Sequence, residues 1–211
     1  MRLYYSPGAC SLAAHVALRE AGRDFDLVRV DLRTHRIAGG GSYYAINPNG
    51  YVPALELDGP GSELLTETPA ILQYVADLAP ETRLAPPSGT FARYHLEEWL
   101  SFVASELHDP LDWLFAPDTP ALVQQRVRAK VGERFRYLAD VLADRGYLMG
   151  ETFTVADAYL YTVLRWCERF AIDLPLWPNV DDYYWRVGER PAIEAALAAE
   201  GLVDRRATAT G

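Results

Sequence analysis

The chain has 211 residues, half of them apolar and 23% charged, which supplies a core without disulfide or metal staples and excludes intrinsic disorder. Two cysteines, at positions 10 and 167, exclude a disulfide framework and suggest a reducing compartment. Twenty Lys plus Arg against 29 Asp plus Glu give a formal charge of −9, so nucleic acid and anionic membrane surfaces are not expected as main partners.

No run of about 18 apolar residues is available to span a bilayer. Arg2 to Tyr5 is a short β-prone run that meets Ser6-Pro7-Gly8 too early for a signal peptide's apolar stretch; the expected location is cytoplasmic. From Ser11 to Ala21, Leu12, Val16 and Ala17 recur at helical spacing, and Gly22 ends the helix. Phe25 to Leu32 alternates as a strand does, and Arg36 to Asn49, with Gly39-Gly40-Gly41, reads as a loop containing a helical turn. Ala54 to Leu57, a turn through Asp58-Gly59-Pro60-Gly61, and Glu63 to Leu65 form a predicted hairpin. Glu67 to Leu78 is a predicted helix with Ala70, Ile71, Tyr74, Val75 and Leu78 on one face. The order is βαβ, then ββα.

Pro80 to Thr90 is the linker candidate, rich in Pro and Gly. Everything beyond it reads as helix. Phe91 to His108 carries Leu96, Trp99, Leu100, Val103 and Leu107. Thr119-Pro120 reads as a cap followed by Pro at the first helical position, opening a stripe of Val127, Val131, Phe135, Leu138 and Leu142. Thr154-Val155-Ala156-Asp157 is a capping-box variant that opens a helix through Tyr159, Val163, Trp166 and Phe170. Two shorter helices follow, near 180–188 and 191–200, and the tail beyond Arg206 is expected to fray. The expected architecture is α/β plus all-α: residues 1–80, a linker over 81–90, a helical domain over 91–206, and a tail over 207–211.

Cys10 is the most suggestive position. It follows a strand and a Pro7-Gly8-Ala9 turn and stands at the predicted start of the first helix, where unpaired N–H groups and the helix dipole favour a thiolate. The bland alternative is a small buried hydrophobe; the flanking turn favours chemistry. No second Cys stands at CxxC spacing, so a dithiol cycle is not expected. In Asn49-Gly50-Tyr51-Val52-Pro53-Ala54, a Pro leading into a strand marks an edge, a bulge or a cis bond. If the bond is cis, the polar backbone of Val52 turns towards a peptide-like ligand. Thr66-Glu67-Thr68 joins a strand to a helix where a carboxylate could bind, but taken alone it reads as an ordinary cap followed by an acid that favours the dipole. His108, at the expected end of a long helix, has the chemistry to stabilise a thiolate or act as an acid–base group, but taken alone it reads as a C-terminal helix cation. No metal-ligand spacing is present, and Cys167 reads as packing.

The combination resembles the cytosolic glutathione transferases over essentially the whole chain. Tyr5-Ser6-Pro7-Gly8-Ala9-Cys10-Ser11-Leu12 is similar to the bacterial beta class, in which Cys replaces the usual Tyr or Ser. Asn47-Pro48-Asn49-Gly50-Tyr51-Val52-Pro53-Ala54-Leu55, Leu64-Leu65-Thr66-Glu67, Glu106-Leu107-His108 and Phe153 to Tyr159 are further matches in the right order. The resemblance implies an N-terminal thioredoxin-like, glutathione-binding βαβ-ββα domain and a C-terminal helical-bundle domain holding a hydrophobic co-substrate. It implies that Cys10 and His108 face the glutathione sulfur, and that the Val52 backbone pairs with the cysteinyl part. Glu67 and Thr68 would hold the γ-glutamyl end, and Ser105, Glu106, Leu107 and His108 would close the site. Thr154 and Asp157 would be a folding cap.

Three positions depart from the beta pattern. His35 stands where Lys usually meets the glycyl carboxylate, and a His is only partly charged at neutral pH; Arg33 or Arg36 would compensate. Ser101 stands where Asn is frequent, and Tyr51 replaces a common Gln. The implied function is activation of the glutathione thiol for conjugation to hydrophobic electrophiles held near Trp113 and Phe115 or the Tyr161–Trp166 region. Thiol–disulfide exchange through Cys10 is a second mechanism in the same site. Glutathione is then a co-substrate, no metal is needed, and a homodimer is implied. The rival class is a non-enzymatic binding protein on the same fold.

Overall fold

The computed structural model describes residues 1–59 and 63–202. Part of the expected 58–61 turn and the whole of the expected 207–211 tail lie outside the described residues. The chain divides into two compact units, Met1–Leu84 together with the segment from Arg190, and Ala85–Glu189.

The first unit is built on a five-stranded sheet of order β3-β2-β1-β4-β5. Its strands are β1 (Arg2–Tyr5), β2 (Asp26–Asp31), β3 (Arg36–Ile37), β4 (Ala54–Glu56) and β5 (Leu64–Thr66). β1 runs parallel to β2, with Leu3 opposite Leu27, and antiparallel to β4, with Leu3 opposite Leu55. The parallel pair needs a crossover, which α1 (Ser11–Glu20) provides. Thr68–Leu78 forms α2.

The helical turn expected within the 36–49 loop is Tyr43–Ala45, one 3₁₀ turn, but the loop also holds a strand, since Arg36 and Ile37 pair with β2. Two residues are too few for the period-2 pattern that identifies a strand. In α2 the buried apolar side chains are Ile71, Leu72, Val75 and Ala76, and Tyr74 is only half-buried. α1 is buried from Ser11 to Leu18, more than the single stripe its spacing indicated. The reason is a second cover: α9 (Pro191–Ala199) packs on α1 alongside α2. The last helix therefore belongs with the first unit, not with the helical domain in which residues 91–206 were expected to lie.

The second unit is helical. Phe91–Phe102 (α3) continues through a π-helical stretch, Val103–His108, into α4 (Asp109–Asp112). His108 therefore does not end a helix, which removes its reading as a C-terminal cation. The remaining helices are α5 (Ala121–Val141), α6 (Val155–Leu164), α7 (Trp166–Arg169) and α8 (Pro178–Gly188). Pro120 itself takes the cap position of α5 with an extended ψ of 143°, so the helix starts one residue later than the cap-then-Pro reading. Thr119 instead donates its hydroxyl to the Trp113 carbonyl at 2.5 Å. The expected helix through Phe170 breaks at Arg165, which separates α6 from α7. Among the described residues no helix is long and apolar enough to cross a membrane.

Every residue of α6 is buried, as befits a helix covered on all sides. Its start is held by the capping box on Thr154 and Asp157. The Asp157 carboxylate accepts from the backbone N–H of Thr154 and of Leu148, from the Thr154 hydroxyl and from the Tyr183 hydroxyl, all at 2.8 to 2.9 Å. Burial pushes this carboxyl above the usual range while the four donors oppose the shift. Asp157→Ala leaves those donors without their acceptor inside the core. It is expected to lower the free energy of unfolding by about 2–4 kcal/mol in urea titrations; a loss under about 0.5 kcal/mol would show that water replaces the carboxylate.

Candidate active site

The turn after β1 is closed locally. The Ala9 N–H donates to the Ser6 carbonyl at 3.0 Å, and the Ser11 hydroxyl bridges the Ser6 backbone at 3.2 Å. Gly8 adopts φ +72°, a left-handed conformation that glycine accepts without cost. Cys10 occupies the cap position of α1 and makes no side-chain bond to its own helix. Its thiol instead donates to the Val52 carbonyl at 3.0 Å, and neither cysteine is in a disulfide.

Val52–Pro53 is cis, one of the alternatives open from the sequence. The loop before it is clamped: Tyr43 Oη and Asn47 Nδ2 both donate to the Tyr51 carbonyl, at 2.9 and 2.8 Å. Burial pushes the Tyr43 phenol up to about 12, so it remains a donor across the physiological range. Tyr43 lies in a buried cluster with Tyr4, Val30, Val52 and Ala54, which seats the Val52 loop on the sheet. Nothing in the local pattern marked Tyr43 or Asn47 as the loop's supports.

At the start of α2, Glu67 takes the cap position with φ +69° and ψ 120°, and its side chain makes no capping bond. An ordinary cap is therefore not what this junction contains. A non-glycine residue in that conformation costs about 1–3 kcal/mol and is a hallmark of sites where geometry outranks stability. The Glu67 side chain is exposed, whereas Thr68 is buried. His35 also has a positive φ, +50°. Its ring lies 4.5 Å from that of Tyr44, and its Nδ1 is buried without a hydrogen-bond partner. A Cβ at Gly50 would stand 3.1 Å from the His35 ring and 2.7 Å from Tyr44, so the absence of a side chain there makes room for the stack. Arg33, Arg36 and Tyr51 are exposed.

In the helical unit, His108 closes the π-helical stretch. Its Nδ1 lies 2.5 Å from Tyr159 Oη on α6, and its ring meets that of Trp166 edge-on at 5.0 Å. Burial lowers the His108 pKa, opposed by the charges of Asp112 and Asp109, so the imidazole is neutral at pH 7. Phe115 packs edge-on against Trp166 and Phe170, at 5.2 and 4.7 Å. Phe115 and Trp166, expected in alternative regions, thus share one aromatic cluster with His108. Trp113 is instead exposed, and Tyr161 stacks on Tyr184. The role of Tyr159 as the partner of His108 had no sequence signal beyond its place in the α6 motif.

Ser101 and Ser105 are exposed, one helical turn apart, with the Ser105 hydroxyl on the Ser101 carbonyl at 3.0 Å. Two neighbours expected beside a ligand are engaged elsewhere. Leu107 is fully buried in the helical core. Glu106 pairs with Arg134 at 2.5 Å and with Lys130 at 3.4 Å, and these cations hold its carboxyl below the usual range.

Residues 1–77 match the glutathione S-transferase N-terminal domain family, and residues 98–191 match the glutathione S-transferase C-terminal domain family. Glutathione S-transferase GstA of Escherichia coli O157:H7 is 46% identical over 96% of this chain and its own full length. A sphingomonad glutathione S-transferase complexed with glutathione is 45% identical and superposes with a TM-score of 0.92 over 96% of this chain and all of the other. BphK, a bacterial enzyme of the same family seen in a ternary complex, is 49% identical with a TM-score of 0.93 over 96% and 100% of the two chains. The two matched domains, in this order around a Cys10 turn and a cis Val52–Pro53 loop, make this chain a member of the glutathione S-transferase family.

Proposed function

We propose that the chain is a glutathione transferase that activates the glutathione thiol for attack on hydrophobic electrophiles. The observation that carries this reading is the Cys10 thiol at the start of α1, turned onto the Val52 carbonyl at 3.0 Å. That geometry sets a sulfur-handling group beside a strand-like peptide edge, where an extended tripeptide can align by main-chain hydrogen bonds. The glutathione complex of the sphingomonad relative supports the ligand.

In this reading Val52 holds the cysteinyl backbone of glutathione. The exposed Glu67 carboxylate takes the γ-glutamyl ammonium, and Thr68, at the positive end of α2, takes the adjoining carboxylate. His35 serves the glycyl carboxylate, with Arg33 and Arg36 on the same stretch. Ser101 and Ser105 add polar contacts, and the chain works as a homodimer. Glutathione loses its thiol proton, the thiolate forms a bond to the electrophilic carbon, and the leaving group departs with the displaced electron pair. Cys10 and His108 stabilise the sulfur anion. A neutral His108 does so by donating a hydrogen bond, without itself having to gain a proton. The aromatic cluster of Phe115, Trp166 and Phe170 offers an apolar wall for the electrophile.

The exposed side of the Cys10 position also suits a second reaction. The Cys10 thiolate attacks a sulfur of glutathione disulfide, a mixed disulfide forms, and one glutathione thiolate leaves. Calorimetric titration of glutathione is expected to give one site per subunit with a dissociation constant between about 1 µM and 1 mM; absence of binding would favour the non-enzymatic alternative. Cys10→Ala is expected to abolish disulfide exchange while conjugation persists at reduced rate. Exchange that survives the substitution overturns the covalent role.

His108→Asn is expected to lower kcat by about tenfold or more. It also carries a pH signature. The folded-state pKa of His108 lies below that of the unfolded chain, so between the two the unfolded state binds more protons. The stabilising share of neutral His108 is complete above about pH 6.5 and is lost as pH falls through the folded value. Unfolding free energy measured from pH 5 to 8 should therefore fall less steeply on the acid side in the variant; identical profiles would show that His108 does not titrate on unfolding.

A further inference from the structure

The C-terminal helix carries a buried carboxylate that reaches the turn holding Cys10. Glu200 follows α9, and its side chain and that of His15 on α1 both have zero exposure. One carboxylate oxygen of Glu200 lies 2.9 Å from His15 Nδ1, and the other accepts the Gly8 N–H at 2.9 Å. On the far side of the ring, Arg19 Nε donates to His15 Nε2 at 2.8 Å.

Hydrogen-bond direction fixes the protonation of this chain of groups. A guanidinium can only donate, so His15 Nε2 must accept. The imidazole is then neutral, its one proton sits on Nδ1, and that proton points at Glu200. The Gly8 amide can also only donate. Both oxygens of Glu200 therefore accept, the arrangement that suits a carboxylate. A buried carboxylate is costly unless its lone pairs are met, and here they are met by α1 on one side and by the Cys10 turn on the other. The opposite end of α9 is tied as well: Arg190 makes a two-pronged pair with Glu20, at 2.7 and 2.9 Å.

We propose that Glu200 is a positioning residue for Cys10, its carboxylate holding the Gly8 amide, two residues before the thiol, while His15 holds the carboxylate. The C-terminal segment thereby becomes part of the machinery of the first unit rather than a cover for its core. The inference rests on the reading that Cys10 serves the sulfur, and it adds residues that no motif of the site contains. Binding groups on the Val52 loop and at the start of α2 stand apart from this chain of bonds, so sulfur chemistry and glutathione affinity should separate.

The test compares Glu200→Gln with the wild type at a temperature well below melting. A Gln amide that accepts from Gly8 turns its NH₂ towards the His15 Nδ1 proton, a donor facing a donor. Amide exchange at Gly8 is expected to accelerate by about tenfold or more. In conjugation, kcat is expected to fall by about tenfold with the glutathione KM within about twofold. His15→Asn keeps an amide donor towards Glu200, so Gly8 protection and kcat should stay within about threefold of wild type even as the melting temperature falls with the loss of Arg19's acceptor. Gly8 exchange and kcat both at wild-type values in Glu200→Gln, with only a lower melting temperature, would overturn the proposal and leave Glu200 a tether. If Glu200→Gln does not fold, His15→Leu against His15→Asn carries the comparison, and wild-type Gly8 exchange in His15→Leu overturns it. A wild type that fails to conjugate refutes the proposed function alone, because Gly8 exchange still reads the contact.

Discussion

The first turn of α1 is the point on which the first unit depends. A helix start leaves its first N–H groups without internal partners, and here no side chain at the cap position bonds back to the helix. The turn that leads into it is held from elsewhere. Ser11 bridges Ser6 from inside α1, Glu200 reaches Gly8 from the end of the last helix, and Cys10 reaches out to Val52. An ordinary Ser or Asp cap would stabilise the helix locally and use the amides in doing so. Here the Leu12 and Ala13 amides that such a cap would take donate to the Ala9 and Cys10 carbonyls instead, and holding the turn from distant groups ties the position of the thiol to the assembly of the whole unit.

The helical unit solves a related problem with the opposite device. Its central helix α6 is buried all round, so its starting amides have no water to turn to. Asp157 gathers the Thr154 and Leu148 amides and the Tyr183 hydroxyl onto one carboxylate. That anchor fixes the register of α6, and two residues later Tyr159 meets His108. The π-helical stretch ending at His108 is the matching adjustment in the facing helix, where wider turns let one residue swing without breaking the run. A folding motif and His108 are thus joined through one helix.

What could be read in advance follows from range. Helices with clear apolar periods, the strands of three or more residues, and the Thr154–Asp157 box are local patterns, and all are present in the fold. β3 has two residues and no period to detect. α9 reads as a helix, but its pairing with α1 joins positions 185 residues apart at His15 and Glu200, which no local pattern records. Cys10 and Val52 were each singled out for their own neighbourhoods, and the contact between them spans 42 residues. Glu106-Leu107-His108 shows how consecutive residues part company. Consecutive helical residues point roughly 80–100° apart, so three neighbours do not all face one ligand. Leu107 turned to the core, Glu106 to Arg134 and Lys130, and His108 to Tyr159.

The acidic balance of the chain is compatible with an anionic ligand because of distance. At physiological salt a charge is screened beyond about 8–10 Å, so a formal −9 spread over the surface contributes little at any one atom. In the proposed reading, what a sulfur anion meets is set by groups within a few ångströms, among them the start of α1 and the Cys10 thiol. Buried neutral donors have an advantage over buried cations in general. A cationic histidine would have to give up its hydration on burial, which is the cost that lowers the pKa of His108. A neutral imidazole avoids that cost and still supplies a fixed dipole. Glu200 obeys the same rule from the other direction. Its carboxylate contacts the backbone two residues before the thiol and would disfavour an anion if left bare, but the Gly8 amide and the His15–Arg19 pair absorb both its oxygens. The carboxylate then acts on the turn through hydrogen-bond geometry more than through its field.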